Sequence, residues 1–525
     1  MIAKIISRGL TLSLAALTML SVSAGAAQAR WLKASSALFV VYSDGKEDEL
    51  KRFVGELHEY DAMMRMFTGT KTDLPPNQLS IFLVKQSQLD DAIPNVGRTV
   101  AGMYVSSPHG TQAIALREEV GGLPARAILM HEYAHHFMLQ YHPAFYPAWY
   151  VEGFAEYFGS TEFKDESINV GTATPGRAWV LLNAPWTPIG KILAPADPER
   201  LPGTFYEQSW LTVNWFMSSP DLRQKFPKFL NALAAGEAPE KALIAATGMD
   251  FDALNSALKR YLKGRKLPGF KLTRDNKDRT EITIETLPDA EGEFLLDSAR
   301  LTGDYDDAKD AAKYAPALRR RAAKHQDSAF ALKTEAMAEI RANDFDNADK
   351  TLAKLEVLAP NDVNTPYLQA LRYIADGRTR PMERAALWKT ARSFATRAFR
   401  IDQNHYPSLY LYSIAAMGAQ VDEGQPPNEN TVNALLRAYE LAPHVEEFRL
   451  ESAIALQRAG KTKEARQLLL PLAYAPHSKS GAKSGAKFAR KLIERMDAGE
   501  ELAQALGDFD CRCDEDADAN KKDAR

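Results

Sequence analysis

The chain has 525 residues, of which 45% are apolar and 25% charged, and its formal net charge is −3. These proportions suit a soluble globular protein and exclude a mostly disordered chain, while the length exceeds what one hydrophobic core normally supports. The charges show no basic excess, so nothing indicates nucleic acid or an anionic membrane as the main partner. Two cysteines in the whole chain exclude a disulfide-rich scaffold.

Residues 1–29 have the three parts of a secretory signal peptide. A short basic start precedes the apolar run Leu10–Val22, which is too short to span a bilayer as a helix, and Ala27–Ala29 forms an A-x-A cleavage site. The alternative is an uncleaved N-terminal anchor. The pattern predicts export, which fits a bacterial periplasm, and we expect no membrane span once the signal is removed.

Residues 30–265 mix strand and helix patterns. Continuous runs of branched and aromatic residues predict buried strands, and apolar residues recurring every three or four positions predict helices. The expected elements, in chain order, are strand Ala37–Ser43, helix Glu47–Phe67, strand Leu79–Val84, the strand pair Val100–Val105 and Gln112–Leu116, and a helix from Pro124 to Tyr141. Strands followed by helices predict an α+β domain.

The last of these helices contains the segment Ala127–His136, which reads AILMHEYAHH. His131 and His135 are four residues apart, so on a helix both imidazoles project from one face and can reach a single zinc ion. Glu132 stands beside the first histidine, where it can meet a water rather than the metal. This is the HExxH pattern of zinc metallopeptidases. His136 points about 100° away from His135, so we expect a neighbour rather than a ligand.

A catalytic zinc also needs a third protein ligand and an open position. The long metzincin signature fails, because it requires glycine at 138 and histidine at 141, where this chain has Met138 and Tyr141. The next candidate is Glu152, in the segment WYVEGFAEY. Sixteen residues separate it from His135, enough for a turn and a returning helix.

The pair HEYAH and WYVEGFAEY resembles the gluzincins, and among them the peptidase MA-like group related to thermolysin and the aminopeptidase N family. The resemblance implies Zn²⁺ as cofactor, Glu152 as the third ligand and Glu156 as the carboxylate that supports a ligand histidine. It also implies Tyr206, in the segment FYEQSW, as a hydrogen-bond donor to the tetrahedral intermediate, with His109 as second choice. The similarity covers roughly Ala101–Phe216.

The resemblance further implies a mechanism, in which a zinc-activated water attacks the peptide carbonyl and Glu132 acts as general base and then acid. The strand Gln112–Leu116 resembles the edge strand on which these families lay an extended substrate. The glycine-rich exopeptidase motif of aminopeptidases is not visible there, so an exopeptidase assignment does not follow. Two alternatives stay open: Glu156 as a solvated helix residue, and Tyr206 as a packed aromatic residue.

The second half of the chain has a different character. Residues 266–291 form a junction, in which Thr280–Leu287 alternates like a half-exposed strand. Residues 292–498 are nearly all helical, rich in alanine, and resemble tetratricopeptide repeats. In the endings RAYELAP and PLAYAP, Pro443 and Pro476 are 33 residues apart, close to that family's period. The alternative is an irregular helical bundle.

Residues 499–525 are acidic, and this composition predicts a disordered tail. Both cysteines, Cys511 and Cys513, lie in this segment. The sequence as a whole predicts an exported zinc metallopeptidase whose repeats recruit protein partners or substrates. One alternative is a non-catalytic or weakly catalytic interaction scaffold of the cell envelope, built on the helical repeats. Another is a structural envelope factor without a site.

Overall fold

The computed structural model describes residues 30–71, 74–96, 100–117, 125–194, 201–264, 267–274, 280–422, 424–474 and 485–500. The predicted signal peptide and most of the predicted acidic tail, with both cysteines, lie outside these residues. Among the helices so described, none combines the length and the apolar character that a bilayer span requires.

Within the described residues, nine strands form two sheets. The strands are β1 (Leu32–Ser35), β2 (Phe39–Ser43), β3 (Leu79–Val84), β4 (Gly102–Ser107), β5 (Gly110–Leu116), β6 (Glu162–Phe163), β7 (Ser167–Val170), β8 (Phe270–Thr273) and β9 (Thr283–Thr286). The larger sheet has the order β4-β5-β3-β2-β1-β9, and the smaller sheet has the order β6-β7-β8. Strands β2, β3 and β5 are parallel, whereas the other neighbours are antiparallel.

Helices make up most of the remaining described chain. Before residue 265 they are α1 (Glu47–Thr68), α2 (Gln86–Ala92), α3 (Ala125–Tyr141), α4 (Ala148–Gly159), α5 (Pro175–Asn183), α6 (Ile189–Leu193), α7 (Phe205–Met217), α8 (Pro220–Ala234), α9 (Pro239–Thr247) and α10 (Phe251–Lys263). After residue 288 they are α11 (Asp289–Gly303), α12 (Ala308–Ala322), α13 (Ala329–Arg341), α14 (Phe345–Leu358), α15 (Asn364–Thr379), α16 (Arg384–Ile401), α17 (Tyr406–Asp422), α18 (Glu429–Leu441), α19 (Glu446–Arg458), α20 (Thr462–Ala473) and α21 (Gly485–Asp497), with a 3₁₀ helix at Pro381–Glu383.

Helices cover both faces of the larger sheet. Ile81 and Leu83 of β3 belong to the hydrophobic core that includes residues of α1 and α3. Phe82 and Val84 of the same strand belong to a second core with residues of α2 and α11. Because successive side chains of β3 meet a helix layer on either side, the strand is a nearly continuous apolar run rather than an alternating one.

Most of the expected elements of the N-terminal half are confirmed. Strand Leu79–Val84 has the predicted bounds, α1 extends one residue beyond the predicted helix, and β4 and β5 form the expected antiparallel pair. One expectation is wrong: Gln112–Leu116 belongs to β5, which lies inside the sheet between β4 and β3. The chain folds back so that β4 lies outside β5, and β4 is therefore the edge strand.

The predicted junction supplies a strand to each sheet. Strand β8 pairs with β7, and β9 pairs with β1 over Leu32–Ser35. Helix α11 then crosses the larger sheet and contacts α2, β5 and β4. The chain therefore returns along the sheet to the β4 edge before the remaining helices begin.

Helices α11–α21 form a repeated array. Each helix from α12 to α20 packs against the next one, and the alternate helices α11, α13, α15 and α17 also contact one another in that order. These alternate helices form one row, which we call the inner row. The predicted fold class, an α+β domain followed by an all-α helical repeat domain, is confirmed.

Candidate metal centre

Helix α3 presents His131 and His135 on the face that meets α4. The opposite face is held by buried apolar residues, including Leu129 and Phe137. Helix α4 ends against α3 at Gly159, where an added Cβ would lie 3.0 Å from the Cβ of His131. The glycine therefore permits the close approach that brings α4 alongside the two histidines.

Three side-chain atoms converge between these helices. The Nε2 atoms of His131 and His135 are 3.0 Å apart, and each lies 3.7 Å from Oε2 of Glu152. These three residues form a group that can hold a metal ion. A point equidistant from the three atoms lies about 2.0 Å from each, which matches zinc–nitrogen and zinc–oxygen bonds of about 2.0–2.2 Å.

The chemistry of the three donors also fits a divalent metal. Glu152 is 0% exposed, and its neighbours Trp149, Phe154 and Ala155 on α4 belong to the hydrophobic core. Carboxylates are costly to bury unless a cation or hydrogen bonds compensate them. Two imidazoles and one carboxylate form a donor set that zinc accepts, and it leaves a further position for a substrate or water.

Helix α7 brings a tyrosine to this group. α7 packs closely on α4 at Gly153, where an added Cβ would lie 2.7 Å from the backbone oxygen of Ser209. Tyr206, in the first turn of α7, is 36% exposed. Burial raises the pKa of Tyr206, and the negative charges of Glu152 and Glu132 raise it further. Tyr206 therefore lies within electrostatic range of both carboxylates and keeps its proton at neutral pH.

Glu132 lies on the side of α3 that faces β4. Burial raises the pKa of Tyr104 on β4, and Glu132 contributes to this rise. The Tyr104 hydroxyl lies 2.8 Å from Nδ1 of His136, and burial lowers the pKa of His136 to about 4. His136 is therefore engaged with β4 and lies outside the three-residue group.

Glu156 connects α3 to α5. Its Oε1 lies 3.6 Å from Nδ1 of His131, and its Oε2 forms an ion pair with Arg177. The Arg177 guanidinium lies 5.2 Å from the centre of the Trp210 ring, and burial lowers its pKa to about 10. Glu156 is thus placed to orient the imidazole of His131, as metal-site carboxylates commonly do.

The structure does not bring His109 to the centre. Its Nδ1 lies 2.6 Å from the hydroxyl of Tyr367 on α15, and burial lowers its pKa well below the usual range. Sequence reasoning missed Arg177 and Tyr104, because neither belongs to a motif whose spacing relates it to α3. Only the pairing of β4 and the packing of α5 place them near the site.

Neither the comparison with protein-family models nor that with curated proteins finds a match to this chain.

Proposed function

We propose that this chain is an exported zinc-dependent metallopeptidase of gluzincin type. The observation that carries the proposal is the convergence of His131, His135 and Glu152 on one point at metal-bond distance. A zinc ion held there would supply a Lewis acid that polarises a peptide carbonyl and lowers the pKa of a water. Export is proposed from the pattern of residues 1–29 alone.

Two side chains of the protein would move or donate protons in this reaction. Glu132, next to the ligand His131, would take the proton of the attacking water and pass it to the leaving amine. Tyr206 would donate its hydroxyl hydrogen to the oxygen on which negative charge develops. The raised pKa of Tyr206 supports this role, since a neutral phenol is the form that donates.

The part of the inner row next to β4 and β5 already packs against the N-terminal domain. Protein partners would therefore bind to other surfaces of the array. His109, in the turn between these strands, already contacts Tyr367 of the inner row. We therefore propose that the array's outer helices present the surface for partners or protein substrates.

The test is hydrolysis of a peptide library by the purified full-length protein and its E132Q variant. We expect the wild type to cleave peptides, a zinc chelator to stop cleavage, and E132Q to lose activity while it keeps its zinc. E166Q, which changes an exposed glutamate of the same domain, should retain activity. Equal rates in E132Q and wild type would contradict the proposal.

A further inference from the structure

His444 lies in the loop between α18 and α19 and contacts three elements of the N-terminal domain. Its Nδ1 is 2.7 Å from Oε1 of Gln140 on α3, and its Nε2 is 2.7 Å from Oγ1 of Thr111 on β5. Its backbone oxygen accepts a hydrogen bond of 3.0 Å from Oγ of Ser106 on β4. Its ring centre lies 4.8 Å from that of His136.

The chemistry of the His444 ring suits a fixed position. The side chain is buried, and desolvation lowers its pKa well below the usual range, so the imidazole is neutral at pH 7. A neutral imidazole has one donor and one acceptor nitrogen. In the consistent assignment, Nδ1 donates to the Gln140 carbonyl oxygen and Nε2 accepts from the Thr111 hydroxyl. Both ring nitrogens therefore have partners, on two different elements.

The elements that His444 joins are those that frame the metal centre. Helix α3 carries His131, Glu132 and His135, and β4 lies beside it through the bond between Tyr104 and His136. Strand β4 is an edge of the sheet, and an edge strand can pair with an extended peptide along its free side. The separation of β4 from α3 therefore sets how such a peptide would lie relative to Glu132.

Other residues of the array hold the same pair of strands. Ser107 donates a hydrogen bond of 2.6 Å to the backbone oxygen of Thr302, and Gln112 donates one of 2.7 Å to that of Ala299. These bonds attach the β4–β5 pair to α11, at the other side of the sheet from α3. Together with His444, they fix the strand pair between the array and the metal-binding helix.

We propose that His444 is a positioning residue of the catalytic cleft, whose imidazole holds the β4–β5 strand pair against α3 through Thr111 and Gln140, so that an extended peptide on β4 is aligned with Glu132. The array is then a wall of the active site in addition to a surface for partners. The alignment of a peptide with Glu132 rests on the proposed peptidase function. The contact of His444 with the strand pair and α3 can be tested even if the protein hydrolyses no peptide.

The experiment compares full-length wild type with H444A by amide hydrogen exchange and by peptide kinetics. We expect amides of the β4–β5 pair and of the last turn of α3 to exchange about tenfold faster or more in H444A, because the variant loses the ring bonds to Thr111 on β5 and Gln140 on α3. KM for a peptide long enough to pair with β4 should rise about fivefold or more, with kcat within about twofold of wild type. Zinc content should not change.

H405Q is the matched control. His405 is a half-buried histidine of the array whose Nδ1 lies 2.7 Å from Oγ of Ser408, within the array itself. The H405Q variant should leave amide hydrogen exchange in the β4–β5 pair and KM for the peptide unchanged. If H444A fails to fold, T111V removes one partner of the ring with little change in shape, and it should show the same changes in smaller measure.

Amide exchange in the β4–β5 pair and in α3 at wild-type rates in H444A would overturn the inference, as would changes of equal size in H405Q. A fall in melting temperature with KM unchanged would also overturn it, because a merely structural contact gives that result. Absence of peptide hydrolysis in the wild type would instead defeat the proposed peptidase function, and the exchange measurement would still decide whether His444 holds the β4–β5 pair to α3.

Discussion

Arg177 is the residue through which α5 acts on the metal centre. It pairs with Glu156, whose other oxygen faces Nδ1 of the ligand His131, and its guanidinium is packed over Trp210. Carboxylates and their partners around a metal site orient the ligands, and their loss typically lowers metal affinity by about 10–100-fold. We therefore expect Arg177 to contribute to metal affinity at the proposed centre through Glu156, without contacting the metal.

We predict that R177M lowers zinc affinity by about 10–100-fold, because Glu156 loses the cation that fixes it. The measurement is competition with a zinc-chelating dye. R177K, which keeps the positive charge, should fall between R177M and wild type.

R223M is the control for the loss of arginine packed on an aromatic ring, since Arg223 lies 5.3 Å from the centre of the Phe270 ring. It should bind zinc as wild type does. Wild-type affinity in R177M would show that Glu156 does not depend on Arg177.

Individual site residues differ in how far the sequence predicts them. His131, Glu132 and His135 follow from one helical spacing, and Glu152 follows from a second motif close in the chain. Tyr206 rests on resemblance alone, and its approach to Glu152 depends on how α7 packs on α4. Arg177 has no local signal, because an arginine at the start of a helix is usually a solvated residue.

At the scale of elements, the crossing of α4 and α7 depends on Gly153. A Cβ there would lie 2.7 Å from the backbone oxygen of Ser209 and 2.8 Å from a methyl group of Val213. Backbone cannot move aside as a flexible side chain can, so the helices would have to separate. The displacement would also shift Tyr206 relative to Glu152.

We predict that G153A lowers the free energy of unfolding by about 1–3 kcal/mol, the usual cost of overpacking. G55A is the matched control, because Gly55 lies within α1 and a Cβ there would meet nothing within 4 Å. It should stabilise the protein by up to about 1 kcal/mol through helix propensity. Denaturant unfolding of both variants checks the signs, and a stabilised G153A would refute the close contact.

Helix α13 carries a buried carboxyl group that should make the stability of the protein depend on pH. Glu335 is buried, and burial followed by the charge of Glu339 raises its pKa to about 7. A carboxyl whose pKa is higher in the folded than in the unfolded state favours folding at low pH. Its contribution is therefore lost as the pH rises from about 4.5 to about 7.

We predict that E335Q raises the free energy of unfolding by about 2 kcal/mol at pH 8 and by much less at pH 4.5. The measurement is denaturant unfolding at both pH values. E440Q, which changes an exposed carboxylate paired with Arg437, should have a small effect at both. A gain in E335Q that does not depend on pH would contradict the assigned cause.

At the scale of the whole molecule, the array is joined to the N-terminal domain along β4 and β5. Ser106 and His444, which bond across this interface, are 338 positions apart in the chain. Local hydrophobic patterns predict α1, α3 and strands β2 to β5 in the first half and a mainly helical second half, whereas the short strands β1, β6, β7 and β8 have no such signal. The contact between the two halves depends on the path of α11 across the sheet. Local sequence patterns do not predict this path.

The same limit explains the wrong assignment of the edge strand. Residues 112–116 have the apolar pattern of a strand beside the metal-binding helix, but sheet order depends on which side of β5 the preceding strand takes. The sequence predicts the strand pair but not which of its two strands lies at the edge of the sheet.

Zinc content of the purified full-length protein is the most direct test of a metal centre formed by His131, His135 and Glu152. We predict about one zinc per chain in the wild type and in E166A, and loss of the metal in H135A and E152A, because each removes one of three ligands. Spectroscopic bond lengths near 2.0–2.2 Å should accompany the bound metal. A wild-type protein that takes up no zinc, or an E152A variant that retains it at wild-type affinity, would contradict the assignment.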